Sequence, residues 1–324
     1  MKKSFAIAFT LFLNLLCVFT AQAEDPYPSS SISLIVANPP GGAADLNARI
    51  LAEPLGTVLK QAIVVQNKPG IGGALGTAYV ANAKPNGYTL AMSLSSVVVH
   101  PEAERISGRK PQYELNQLEP IALISSDPMI ILVKTESPFK TLEDLIKAAK
   151  ADPGKYNYSS SGNFGPIHLS VEMLAYQAGV KFTQVPFGGG GPSLLALLGG
   201  QVDFTTAAPG VAAAQIASGK VRPLAVSSAK RISAFPDVPS YRESGYDAQY
   251  YIWAGIYAPK GTPAPIVMTL RNALKEAVKS PQFTTGFQKQ NIIMDYRDAP
   301  EFEKFAQEDG KRMLTLLKAI GKID

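Results

Sequence analysis

Four short glycine-bearing segments hold the residues best suited to chemistry: residues 39–42, 69–73, 160–165 and 188–191. Each follows a run with strand character and precedes one with helical character. Strand, glycine turn and helix together present unpaired backbone N–H groups and the positive end of a helix dipole, an arrangement that holds an anion. Residues 32–49 show it most plainly. Ile32, Leu34, Ile35 and Val36 read as a buried strand, Asn38-Pro39-Pro40-Gly41-Gly42 breaks it, and Ala43 onward is helical in composition. One such turn is also an ordinary βα connection. Four of them point to a crevice at the carboxyl ends of strands in which a small ligand's carboxylate is gripped and no bond is made or broken.

Catalytic candidates are thin. Ser93, Ser95, Ser96, Ser159, Ser160 and Ser161 gather at predicted strand ends. No G-x-S-x-G elbow and no evident base activates them, so they read as hydrogen-bond donors to an anion. The two histidines, His100 before Pro101 and His168 just after Pro166, form no ligand pair on one helix face, and no metal or other cofactor is expected. His100 reads as structural. For His168, a bond to nearby backbone and a ligand contact both stand, and an exported hydrolase using His168 with a nearby serine is the competing functional class. Asp45, beside the presumed anion site, either caps the helix and shapes the 39–42 turn or meets a ligand ammonium group. Residues 70–76 resemble a dinucleotide fingerprint, but the third glycine comes one residue late, and no P-loop occurs. Alternation places Tyr251 and Trp253 on one strand face and Tyr250 on the other, so these aromatics form either a ligand wall or core.

Repeating strand–turn–helix units position these residues. Strands are expected at 32–36, 62–65 and 88–94, with helices at 43–60 (kinked at Pro54) and 74–83, which argues for a parallel sheet wound with helices. Residues 101–119 are a looser polar connection. Apolar β runs at 121–124 and 129–133, split by Ser125-Ser126-Asp127-Pro128, suit a strand that crosses between lobes. A second set follows: helix from Thr141 with Asp144 as a capping-box partner, strand 156–159, helix 166–179, strand 182–185, helix 192–198, strand 202–205, helix 211–218 and a returning strand 222–227. An aromatic strand at 250–258 and helices at 265–279 and 300–320 complete the chain. The expected fold class is α/β: two doubly wound α/β domains joined by crossing strands, with residues 24–125 and 227–324 as a discontinuous first domain and 126–226 as the second.

The 324-residue length allows two cores, and 46% hydrophobic with 18% charged residues is globular. A net charge of +5 without a dense Lys/Arg stripe gives no support for nucleic-acid binding. Lys2-Lys3, an apolar run over 5–20 and Ala21-Gln22-Ala23 have the parts of a cleavable signal peptide over 1–23, which predicts export to the periplasm. Cys17, the sole cysteine, lies inside that segment, so the mature chain forms no disulfide.

The ordered motifs resemble the Bug (TctC-like) substrate-binding proteins of tripartite tricarboxylate transporters. Pro39-Pro40-Gly41-Gly42-Ala43-Ala44-Asp45 with Ala48-Arg49 is similar to that family's opening motif. Asn67-Lys68-Pro69-Gly70-Ile71-Gly72-Gly73 with Asn86-Gly87-Tyr88-Thr89-Leu90, then Gly162 through His168-Leu169 and Glu172, and Ala196-Leu197-Leu198-Gly199-Gly200-Gln201-Val202-Asp203 follow in order. Pro236-Asp237-Val238-Pro239 and Ala258-Pro259-Lys260-Gly261-Thr262-Pro263 complete the pattern over essentially the whole mature chain. The resemblance implies a periplasmic, type II-like binding protein that closes on an organic acid and serves the membrane subunits of such a transporter, as a monomer. It implies ligand contacts at Pro40, Gly41, Gly42, Ala43 and Asp45, and at Ser160, Gly162, Asn163 and His168, with Phe187 and Gly188 nearby. Ser93 and Ser95 join them as hydroxyl donors. Asn38, Asn163, Pro54 and the glycine-rich 188–191 turn depart from the pattern and bear on which acid fits.

Overall fold

The structure is a computed structural model that describes residues 26–321; the expected signal peptide and Cys17 lie outside the described residues. Alternating elements follow in order: β1 (Ile32–Val36), α1 (Ala43–Leu59), β2 (Ile63–Asn67), α2 (Ala74–Ala81), β3 (Thr89–Leu94), α3 (His100–Ile106), β4 (Leu118–Pro128) and β5 (Ile130–Lys134). Then come α4 (Leu142–Ala151), β6 (Asn157–Ser160), α5 (Pro166–Ala178), β7 (Thr183–Pro186), α6 (Gly190–Leu198), β8 (Phe204–Ala207), α7 (Pro209–Ala217) and β9 (Val221–Val226). The chain ends with β10 (Tyr251–Pro259), α8 (Ala264–Ala277), α9 (Pro281–Lys289), β11 (Met294–Asp298) and α10 (Ala299–Ile320).

Two sheets result, in the orders β11-β4-β10-β3-β1-β2 and β7-β6-β8-β5-β9. Each contains a parallel trio, β2-β1-β3 in one and β7-β6-β8 in the other. Both sheets are mixed rather than wholly parallel, because the strands that pass between them run back against the trio: β10 lies antiparallel between β3 and β4, and β5 antiparallel between β8 and β9.

Helices cover both faces of each sheet, so the central strands are apolar on both sides. Ile32, Leu34 and Val36 of β1 face Leu51, Leu55 and Leu59 of α1, while Ile35 faces a second cluster with Ala74, Val80, Trp253 and Phe302. In the other sheet Ile131 and Val133 join the main core, and Ile130 and Leu132 pack with Leu194, Leu197 and Ala212 of α6 and α7.

The structure corrects several local expectations. Residues 125–128 do not split a strand: β4 runs through them to Pro128, with β5 starting at Ile130. Pairing with β10 and β11 compensates their polarity, and the Asp127 carboxylate accepts from the Ile293 amide at 2.7 Å. Helix α1 stays unbroken through Pro54. Helix α6 starts at Gly190 and α7 at Pro209, two residues earlier than expected in each case. Elements α9 and β11 were not expected at all. The capping box holds: Thr141 Oγ1 accepts from the Asp144 amide, and the Asp144 carboxylate accepts from the Thr141 amide.

The crossing segments are laced at Ser227. Its hydroxyl donates to the Tyr250 carbonyl and accepts from the Met129 amide, while its own amide donates to the Met129 carbonyl.

Candidate functional site

The four glycine turns, drawn from both sheets, meet at one seam. A Cβ placed on Gly42 would lie 3.7 Å from the Pro39 carbonyl oxygen and 3.9 Å from the Gly190 amide nitrogen. One placed on Gly191 would come within 3.3 Å of the Pro40 carbonyl oxygen. The second pair of turns faces in the same way: a Cβ on Gly162 would stand 3.2 Å from the Gly72 nitrogen. Both residues have positive φ, +95° and +61°, so glycine is required there by backbone conformation as well as by approach.

Beside the first pair lies a small, partly open cavity of about 30 Å³, lined by Asn38, Gly42, Ala43, Leu94, Met129, Ser161, Pro166, Ile167, Gly190, Ala207, Ala208, Val211 and Ile252. No charged side chain lines it. Cap or first-turn residues of four helices do: Gly42 and Ala43 of α1, Pro166 and Ile167 of α5, Gly190 of α6, and Ala208 and Val211 of α7. The Gly42, Gly165, Gly189 and Ala208 caps of these helices provide no side-chain cap hydrogen bond. Pro166 has no N–H, the Ile167 amide donates to Ser161 Oγ and the Val211 amide to the Ala208 carbonyl, so the Ala43 and Gly190 amides are the first-turn donors left at the cavity, where four positive dipole ends converge. The arrangement can hold an anion without a cationic side chain. The cavity has room for about two water molecules.

Asp45 serves the turn. It is buried, and its carboxylate accepts from the Gly41 amide at 3.0 Å, from Arg49 Nε at 3.0 Å and from Asn67 Nδ2 at 2.9 Å. Burial raises its pKa, but the hydrogen bonds from Arg49, Gly41 and Asn67 outweigh that and hold it below the usual value. Gly41 therefore spends its N–H on Asp45, while Gly42 and Ala43 reach the cavity and Pro40 lies at the seam.

His168 fixes the opposite turn. Its Nδ1 accepts from the Phe164 amide at 3.0 Å, so the neutral ring carries its proton on Nε2. Phe164 sits at φ +58°, uncommon for a residue with a side chain, and its ring meets the imidazole edge-on at 5.8 Å. Burial lowers the His168 pKa to about 4. His100 is likewise buried, with its pKa lowered to about 4 by burial, and its Nε2 donates to the Gly72 carbonyl at 3.1 Å. No serine hydroxyl hydrogen-bonds to either histidine among the described residues.

The serines mostly turn away from the cavity. Ser93 Oγ pairs with Thr77 Oγ1 beneath α2, and Ser95 Oγ pairs with the Tyr250 hydroxyl. Ser160 Oγ and Asn163 Oδ1 both accept from Gln184 Nε2. Phe187 donates its amide to the Ser160 carbonyl, and Gly188 is exposed beside it. Ser161 does line the cavity, where its Oγ accepts from the Ile167 amide. Of the aromatic strand, only Ile252 lines this cavity: Trp253 is buried against Phe302 and Phe305 and donates from Nε1 to Asp309, Tyr250 is buried with its hydroxyl on Ser95, and Tyr251 lines a separate, larger cleft with Met173 and Arg312.

The α7 contribution escaped the sequence reading, although Ala208-Pro209-Gly210 directly after a strand, with proline at the first helical position, was the available signal.

A family model described as "Tripartite tricarboxylate transporter family receptor" (TctC) matches residues 47–322. BugT of Bordetella pertussis is 33% identical over 322 residues, which span 96% of this chain and 98% of BugT. The solved periplasmic binding protein BugD is 31% identical, with a TM-score of 0.85 over 92% of this chain and 100% of that one. MatC from Rhodopseudomonas palustris, solved with bound malate, is 28% identical, with a TM-score of 0.84 over 90% and 100% of the two chains. Together with the two-sheet α/β fold, these likenesses show that the chain belongs to the TctC family of solute-binding receptors.

Proposed function

We propose that this receptor closes two lobes, residues 24–125 with 227–324 and residues 126–226, on a small carboxylate-bearing molecule in the periplasm. It then delivers that molecule to the membrane subunits of a tripartite tricarboxylate-type transporter. The observation that carries the proposal is the meeting of four helix N-termini at one cavity with no charged side chain in its lining. The malate in MatC supports the same ligand class.

Hydrogen bonds to a charged group contribute about 1.5–3 kcal/mol each. Three or four of them, less the ordering cost, reach micromolar affinity at roughly −8 kcal/mol. The segments laced at Ser227 serve as the hinge. The engagement of His168 Nδ1 with backbone, away from any serine hydroxyl, favours the receptor over the hydrolase.

The test is thermal unfolding of the purified mature protein against a panel of organic acids. An acid at a hundredfold excess over its Kd stabilises by about 2.7 kcal/mol, a rise of roughly 5 °C, and is recovered unchanged. A flat response to every acid, or turnover of the acid by pure protein, defeats the proposal.

A further inference from the structure

We propose that the cleft on the other side of the crossing strands is a second ligand site, which takes an organic cation with an apolar body and, when filled, favours closure of the seam. The site itself is independent of the receptor reading, whereas its effect on acid capture rests on that reading.

The cleft has a volume of about 880 Å³, within the range of small-molecule pockets, and lies between helices of the two sheets, where such pockets concentrate. Met173, Tyr176 and Gln177 of α5 form one wall, and Phe305, Arg312 and Leu316 of α10 form another. The crossing strands are its floor. Tyr251 lines the cleft while Ile252, the next residue of β10, lines the seam cavity, so the two spaces flank opposite faces of one strand.

The charges left free in this cleft are negative. Arg297 donates to both Asp295 oxygens, at 2.9 and 2.7 Å, and stacks on the Phe305 ring. Arg312 is spent on Asp309 and on the Gln249 carbonyl. Asp247 and Glu308 line the cleft, are exposed, and form no ion pair among the described residues. Tyr176, 60% exposed, and Tyr251 pair with no other ring among the described residues, one on each side of the cleft. Free aromatic faces beside free carboxylates attract a cation, and Met173, Ile293 and Leu316 receive its apolar part. An anion would meet two unpaired carboxylates, so the acid held at the seam is a poor occupant here.

Helix α5 links the two spaces. Pro166 and Ile167 in its first turn line the seam cavity, and Met173 and Tyr176, about two turns further on, line the cleft. With the crossing strands as pivot, a rotation that opens the seam swings this later part of α5 toward α10 and narrows the cleft. An occupant resists that narrowing and so holds the seam shut.

Calorimetry on the mature protein with phenethylammonium and its uncharged counterpart, 2-phenylethanol, tests the site. The cation should bind at least about tenfold tighter than the alcohol, and Asp247→Asn with Glu308→Gln should bring the two to within about twofold. Tyr176→Ala should weaken the cation at least about fivefold; all three positions are exposed, so the fold is not at stake. Closure is read separately. The chain from residue 24 onward has no cysteine, so Leu75→Cys with Leu195→Cys, both exposed and one beside each sheet, carries a pair of spin labels. Saturating phenethylammonium should shift their distance distribution toward shorter values. Absence of cation binding, equal binding of the alcohol, or unchanged affinity in the variants overturns the site. An unchanged or longer label distance overturns its effect on closure. Cation binding by a protein that responds to no acid would remove the receptor reading and leave the site standing.

Discussion

Replacing Gly42 by valine separates ligand capture from folding. Gly42 is the N-cap of α1, and the position of its missing Cβ is 3.9 Å from the Gly190 amide nitrogen on the other side of the seam. Alanine there makes ordinary contacts. Valine adds γ-methyls that extend roughly 1.5 Å beyond Cβ, and at a seam this tight one of them intrudes on the Gly190 amide or fills the 30 Å³ cavity. Overpacking of this kind costs about 1–3 kcal/mol. On the proposed closure it falls on the closed form alone, because Gly190 and Gly42 meet across the seam; with closure coupled to binding in that way, the loss appears as roughly 5- to 150-fold in Kd. The poorer N-cap costs up to about 1 kcal/mol in both forms, roughly 2 °C in the melting temperature of the ligand-free protein. Calorimetric titration with a binding acid, beside scanning calorimetry of the ligand-free protein, reads the two effects apart, and Gly42→Ala serves as a control expected to stay within about twofold of wild type. Unchanged affinity in Gly42→Val, or a fall in melting temperature large enough to account for the lost binding, refutes the reasoning.

Two further outcomes are expected. Asp45→Asn should destabilise the protein by about 1.5–3 kcal/mol near neutral pH, because the Gly41, Arg49 and Asn67 bonds lose a charged acceptor; the Asp45 pKa is lowered in the folded protein, so the difference from wild type should shrink as pH falls below about 3.8, and chemical denaturation at several pH values checks it. Burial raises the Asp127 pKa to about 7 despite its bond from the Ile293 amide, so the carboxyl costs nothing while protonated near pH 4 and destabilises progressively as pH rises through 7. Asp127→Asn keeps the acceptor, and it should match wild type at pH 4 and exceed it in melting temperature at pH 8; equal melting at both pH values would show that the carboxyl is not held in this environment.

Much of the architecture was legible because it is written locally. Apolar runs of β-branched residues, prolines and glycines at turns, and the Thr141–Asp144 pair depend on neighbours a few residues away, and those elements appear where the sequence places them. Asp127 was misread for the complementary reason: a polar tetrad looks like a break until β10 and β11, more than a hundred residues later, supply its partners. Element β11 itself, Met-Asp-Tyr-Arg-Asp, is a half-buried edge strand with almost no apolar signal.

The candidate site divides along the same line. From the sequence alone one reads four glycine turns, each opening a helix at the end of a strand, since turn chemistry and helix starts are properties of short segments. Tertiary structure alone decides which atoms of those turns face one another. Alternation puts Leu94 and Ser93 on opposite faces of β3, but only packing determines that Leu94 meets the cavity while Ser93 lies under α2. Asn38, Ala208 and Ile252 become neighbours there because segments far apart in the chain are brought to one seam. Contacts across such a seam depend on register and the distance between lobes, and no local pattern of residues encodes either.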